Sequence, residues 1–264
     1  MKLGIDMGGM SIKMGLVNEE NKIIGRITIP TDLTVPYQTL VERMADAVRQ
    51  MLENAGMTLE QCGGIGIGSP GTIDAKQGVI LYSNNFGWEN VPIVEELKKH
   101  LDTRIEIAND ADAAALGEVC AGAAEGAENA VLLTLGTGVG SGVILDKKIF
   151  RGAMPGGCEL GHLSIRYDGI RCTCGRKGCL EAYASASALL RIAREKAAEH
   201  PESIMNEMCG NDLEQMNGKI PFDAAKAGDE AGMETVKEYE GYLACGIANV
   251  INTFRPEKVI LGGG

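Results

Sequence analysis

The 264-residue sequence has no long hydrophobic run. Its longest apolar stretch, residues 131–145, is broken by glycines, which argues against a transmembrane helix. The opening MKLGIDMGG lacks the apolar segment of a secretory signal, so a cytoplasmic location is expected. Positive charge is also short: 25 Lys and Arg stand against 36 Asp and Glu, a formal net charge of -11. A field of that sign repels phosphate, so neither a nucleic acid nor an anionic membrane is expected as a partner. The eight cysteines are too dilute for a disulfide-stapled scaffold. No G-x-x-x-x-G-K-[ST] loop occurs. Residues 66–71 match G-x-G-x-x-G only in letters, because Pro70 and the residues after it read as loop where a dinucleotide fold needs a helix.

Glycine, in contrast, is abundant, with 36 residues and no collagen period, and is read as turns and close backbone approaches. Hydrophobic residues at 45% and charged residues at 23% describe a folded globular chain, long enough for one large domain or two modest ones. Patterning predicts strands over 2–6, 12–17 and 22–29, and a helix over 39–54 whose apolar positions Leu40, Met44, Val48 and Met51 recur at helical spacing. A buried strand within 63–71, a short helix over 92–100, a strand over 104–108 and an Ala-rich helix after it follow. A second strand–turn–strand series starts at 130 and echoes the first, which suggests two related halves. Helices over 184–200 and 230–252 and a strand over 257–264 complete a mixed α/β pattern.

Four motifs carry chemistry. Asp6 at a strand end, followed by Gly8-Gly9, reads either as a hairpin turn or as a carboxylate facing a metal with backbone N–H groups near phosphate. The turn Gly136-Thr137-Gly138 offers the same chemistry from the second half. Asn109-Asp110 is either a helix N-cap or a base on rigid support at a strand end. His162, Cys172, Cys174 and Cys179 form a Cys₃His set that suits closed, structural tetrahedral zinc, with Gly175 and Gly178 letting the backbone fold between the ligands. The other five cysteines are read as small apolar residues.

These residues resemble the ROK family of bacterial sugar kinases and repressors, in particular its glucokinase-like members. Glu159-Leu-Gly-His162 followed by Cys172-x-Cys-x4-Cys-Leu-Glu181 matches the family's zinc motif, and DMGGMSIK its phosphate motif, with Met10 where threonine is usual. Asn84 to Trp88 is a looser match near the sugar site. The resemblance implies an actin/hexokinase-like (ribonuclease H-like) fold of two α/β domains with a central cleft, here residues 1–113 plus 253–264 and residues 114–252. It implies ATP-dependent phosphorylation of a hexose, glucose first, with other sugars or a non-catalytic sugar-binding role as alternatives. Asn109, Asp110, Glu159, His162 and Glu181 would hold the sugar, and Asp110 would be the base. Asp6 would act near Mg²⁺, and Gly8, Gly9, Lys13, Gly136, Thr137, Gly138, Gly262 and Gly263 would line the ATP phosphates. A homodimer is also implied. Repressors of the family carry a winged helix ahead of the Asp-Gly-Gly motif, which here begins at residue 6, so a repressor is not expected. Family kinases continue past the three glycines into helices on the adenosine side, so these 264 residues are expected to be part of a longer product that binds sugar and uses ATP poorly.

Overall fold

The computed structural model describes residues 1–263; Gly264, last of the three closing glycines, lies outside the described residues. The chain separates into two units, Met1–Ala130 with Gly142–Cys158, and Val131–Ser141 with Glu159–Gly264.

The first unit is built on β1 (Lys2–Met7), β2 (Ser11–Val17), β3 (Ile23–Pro30), β4 (Ile65–Ser69) and β8 (Ile105–Asn109), in sheet order β3-β2-β1-β4-β8. Alternation drives this sheet: Leu3, Ile5 and Met7 of β1 and Ile12, Met14 and Leu16 of β2 all face one core. The antiparallel β1–β2 pair turns through Gly8-Gly9, whereas β1–β4 and β4–β8 are parallel. Helix α1 (Tyr37–Asn54) seals that core with Leu40, Val41, Met44, Val48, Met51 and Leu52, beside Ile93 and Leu97 of α2 (Ile93–Lys98). Helix α3 (Asp110–Ala121) leaves directly from β8.

The segment after Pro70 is not loop. It forms β5 (Thr72–Asp74), which with β6 (Val79–Ser83) and β7 (Trp88–Val91) makes a separate three-stranded sheet. Asp74 accepts from the Lys76 and Gln77 N–H groups, and Gly78 at φ +73° reverses the chain against Val94. Ile73 and Ile80 are the buried apolar positions of this hairpin. No helix opens at Gly71, so the rejection of the dinucleotide fingerprint holds.

The second series yields β9 (Ala130–Leu135), β10 (Val139–Leu145) and β11 (Lys148–Ile149), with β12 (Lys258–Gly263) beside β9 in the order β11-β10-β9-β12. That order repeats β3-β2-β1-β4, so the two halves are related in topology. The second unit adds α4 (Glu181–Ala184), α5 (Ala186–Glu199), α6 (Ile204–Met208), α7 (Ile220–Lys226) and α8 (Glu230–Phe254). Asp229 caps α8 by accepting from the Gly232 N–H, and Tyr239 donates from the middle of α8 to the Ala184 carbonyl at 3.0 Å.

One expectation changes here. Residues 253–264 were grouped with the first domain, but β12 pairs with β9 and falls in the second unit. Within β12, Ile260 is buried and Leu261 is 48% exposed. Of the scattered cysteines, Cys62 and Cys209 are buried as expected, and Cys120 and Cys245 are exposed. No helix among the described residues is long and apolar enough to cross a membrane.

Candidate functional site

In the first unit the parallel strands bring their carboxyl ends into register, Asp6 beside Gly68 and Gly68 beside Ala108, with Ser69 beside Asn109. Such ends are where open α/β sheets bind ligands. The side chain of Asn109 is the N-cap of α3, its Oδ1 accepting from Ala111 N–H at 2.9 Å and Asp112 N–H at 3.4 Å. Its Nδ2 donates to the Gly71 carbonyl at 3.2 Å, which ties α3 to the loop before β5. The cap is therefore Asn109, and Asp110 is released from that task. One oxygen of Asp110 accepts from the Ala111 N–H at 2.9 Å. Asp110 is exposed, yet the protein atoms around its carboxyl push its pKa above the ordinary carboxylate value by desolvation, against that backbone hydrogen bond and with help from the Asp6 charge.

Gly8-Gly9 lies at the same unit's β1–β2 turn. The Gly8 N–H donates to the Ser11 carbonyl at 3.0 Å, and a Cβ on Gly8 would press into that same oxygen. Thr31, just past β3, braces the turn: its hydroxyl donates to the Gly8 carbonyl at 2.6 Å and its N–H to the Met10 carbonyl at 3.1 Å. Asn85, in the β6–β7 turn, approaches Gly9. Met10 is 91% exposed, and Lys13 is exposed on β2 across from Asp6.

In the second unit the turn Gly136-Thr137-Gly138 is held from two sides. Its carbonyls at Gly136 and Thr137 accept from the Ala186 N–H at 2.8 Å and the Ser187 hydroxyl at 2.9 Å, both at the start of α5. The Gly136 N–H closes on the Gly138 carbonyl at 2.9 Å, and the Val139 N–H donates to Oε2 of Glu181 at 3.1 Å. Among the described contacts this leaves the N–H groups of Thr137 and Gly138 uncommitted. Gly262 and Gly263 end β12 beside β9, where Gly263 at φ +124° lies against the carbonyl of Leu135, the residue before the turn.

His162, Cys172, Cys174 and Cys179 converge, their ligand atoms all within 4.8 Å of one another. His162 Nδ1 lies 3.6 Å from Cys172 Sγ, and Cys174 Sγ lies 3.7 Å from Cys179 Sγ. A tetrahedron with zinc–sulfur bonds of about 2.3 Å has edges of roughly 3.8 Å, so the donor set fits zinc in number, softness and spacing. Burial and the neighbouring thiols push Cys179 up to about 12, while the Arg176 N–H lowers Cys174. Three thiolates packed this closely call for a cation. The fold between the ligands uses Gly175 at φ +87° and Gly178 at φ +76°, the latter against the Arg166 carbonyl, as their spacing suggested. Beneath the loop, buried Tyr183 accepts from the Ile170 N–H at 2.6 Å.

Glu181, first residue of α4, joins this loop to the turn: Oε1 accepts from the Thr173 hydroxyl at 2.8 Å while Oε2 holds Val139. Burial opposes its ionisation, but the hydrogen bonds from Thr173 and Val139 outweigh it and hold the carboxyl below the ordinary range. Glu159 is exposed just before the short 3-10 turn Leu160–His162, which the buried Ser141 hydroxyl anchors by accepting from the Leu160 N–H at 2.9 Å. Thr31, Thr173, Tyr183 and Ser187 escape a sequence reading. Each acts on a partner far along the chain or through one hydroxyl, and no spacing signals that.

The ROK family description matches residues 2–264. A glucokinase of Thermotoga maritima is 37% identical over 263 residues, covering 99% of this chain and 81% of its own. Among solved structures, a ROK family glucokinase from Streptomyces griseus, in complex with glucose and AMPPNP, aligns with a TM-score of 0.77 at 32% identity, over 100% of this chain and 83% of that one. A ROK hexokinase from Thermus thermophilus aligns at 0.83 and 33%, over 100% and 81%. The fold is thus the expected actin/hexokinase-like α/β one. Sequence motifs, strand order and similarity along this whole chain converge, and the chain belongs to the ROK family.

Proposed function

We propose that the protein is a cytoplasmic kinase that transfers the γ-phosphoryl group of ATP to the 6-hydroxyl of a hexose, glucose first. The observation that carries this reading is Asp110: it stands at the carboxyl end of the parallel strands, spared from capping by Asn109, with a carboxyl shifted toward protonation. A carboxylate with a raised pKa is the better proton acceptor. The similarity to glucokinases supports the substrate pair.

In the reaction the sugar O6–H bond breaks and its proton passes to Asp110. The O6–Pγ bond forms as the bond from Pγ to the β-phosphate oxygen breaks, and ADP leaves. Such transfer rests on alignment and charge neutralisation more than on covalent help. Asn109, through its second amide hydrogen, and Glu159, His162 and Glu181 hold the sugar hydroxyls, since carboxylate oxygens accept from O–H groups. The uncommitted N–H groups of Thr137 and Gly138, the Gly8-Gly9 turn, Lys13 and the Gly262-Gly263 end are the phosphate contacts. Asp6, an exposed carboxylate at the strand end, is the hard oxygen donor for Mg²⁺, which when bound neutralises phosphate charge. His162, Cys172, Cys174 and Cys179 hold zinc in a structural role that fixes Glu159 and Glu181.

The test is Asp110→Asn in a coupled ADP-release assay across a sugar panel. Turnover should fall by roughly 100-fold or more with KM within a few-fold, because the swap keeps shape and removes the proton acceptor. Near wild-type turnover overturns the role of Asp110, and a preference for N-acetylated sugars or fructose corrects the substrate.

A further inference from the structure

The two oxygens of Glu181 serve two different segments of the chain. Oε2 accepts from the backbone of the β9–β10 turn at Val139, and Oε1 accepts from Thr173, which sits between the ligand positions Cys172 and Cys174. The carboxylate also lies directly on the turn, since a Cβ on Gly138 would collide with Oε2. We propose that Thr173 is a positioning residue: its hydroxyl fixes the Glu181 carboxylate and so couples the order of the metal loop to the shape of the Gly136–Val139 turn. This builds on the reading of that turn as a phosphate contact, but the coupling itself is a property of the protein alone.

The Cys172 thiol lies farther from the same Oε1, at 3.4 Å, so the Thr173 hydroxyl at 2.8 Å is the closer of these two side-chain partners. Without it the carboxylate can rotate about its side chain and release Val139. The turn's other supports, from Ala186 and Ser187, act on its carbonyls and do not replace a lost acceptor for the Val139 N–H.

Thr173 is exposed, so removing its hydroxyl leaves the core intact. The experiment compares zinc-loaded wild type with Thr173→Val and Thr173→Ser. Metal content is measured by elemental analysis, and amide hydrogen exchange over residues 136–140 is followed without sugar or nucleotide. Thr173→Val should keep its metal and exchange the Val139 amide about fivefold faster, the factor that one hydrogen bond is worth. Thr173→Ser should restore protection. In kinetics, Thr173→Val should raise KM for both sugar and ATP, with the serine variant again near wild type. Unchanged exchange in Thr173→Val, loss of metal in that variant, or failure of serine to rescue would each overturn the coupling. A wild-type protein that phosphorylates no sugar would overturn the kinase reading instead, and the exchange result would still decide for or against the coupling.

Discussion

The turn after β1 and the turn after β9 occupy equivalent places in two sheets of the same strand order, and they are braced by different means. Gly8-Gly9 is held by Thr31, just past β3, through a hydroxyl and an N–H. Gly136–Gly138 is gripped by the start of α5 and by Glu181, and Glu181 in turn depends on a loop whose side chains converge on a metal-sized space. The first turn is thus supported locally. The second is supported at a distance, through a segment some forty positions later in the chain. Duplicated architecture does not carry duplicated support, because the side chains that stabilise a turn come from whatever element happens to pack on it.

The sharpest way to break the comparison is to remove the metal. Cys174→Ser should bring metal content close to zero by elemental analysis, and it should speed amide exchange over residues 136–140 while leaving residues 8–11 as in wild type, since loss of ligation is loss of local folding energy. Faster exchange at both turns would show that their supports are not separate.

Thr31→Val is the converse experiment. It deletes the hydroxyl bond to the Gly8 carbonyl and should lower stability by about 1 kcal/mol in denaturant titration, with metal content and the second turn unaffected. KM for ATP should rise several-fold while KM for sugar holds.

A smaller effect belongs to Asp110. Its folded pKa is raised, so the ionised form is disfavoured in the native state and its contribution is least favourable above that pKa. Asp110→Asn should therefore melt slightly higher than wild type at pH 7, and the gain should vanish as pH falls below the ordinary carboxylate value, where both side chains are neutral. A variant that melts lower at pH 7 would contradict the sign.

Met10→Thr should do least. The side chain is 91% exposed, so stability should shift by less than about 0.5 kcal/mol. The added hydroxyl gives the first turn a donor that a thioether lacks, and KM for ATP should drop; an unchanged value would mean the methionine is no handicap.

What could be read from the sequence was whatever has a period or a short spacing. The buried alternation of β1 and β2 and the stripe of α1 repeat every few residues, the four metal-type ligands fall between residues 162 and 179, and the structure brings each set together. The β5–β7 sheet was missed because a three-residue strand carries a single inward side chain, Ile73, too little for a period. Asn109-Asp110 was ambiguous because cap and base use the same residue types. Only the hydrogen bonds separate them, with Asn109 taking the cap.

The tie between the Ile170 N–H and Tyr183 has a consequence for the metal loop. Tyr183 is buried against Tyr242, with ring centroids 4.7 Å apart, and the loop's own backbone closes through Ile165 to Gly178, Cys172 to Arg176 and Leu180 to Leu163, each at 2.8 Å. None of these bonds involves a metal ligand's side chain. A zinc finger has to wait for its ion before it can fold at all. Here the frame of the loop is set by the main chain and one tyrosine. A change at one ligand side chain therefore removes a metal bond without deleting any of these main-chain bonds or the Tyr183 contact.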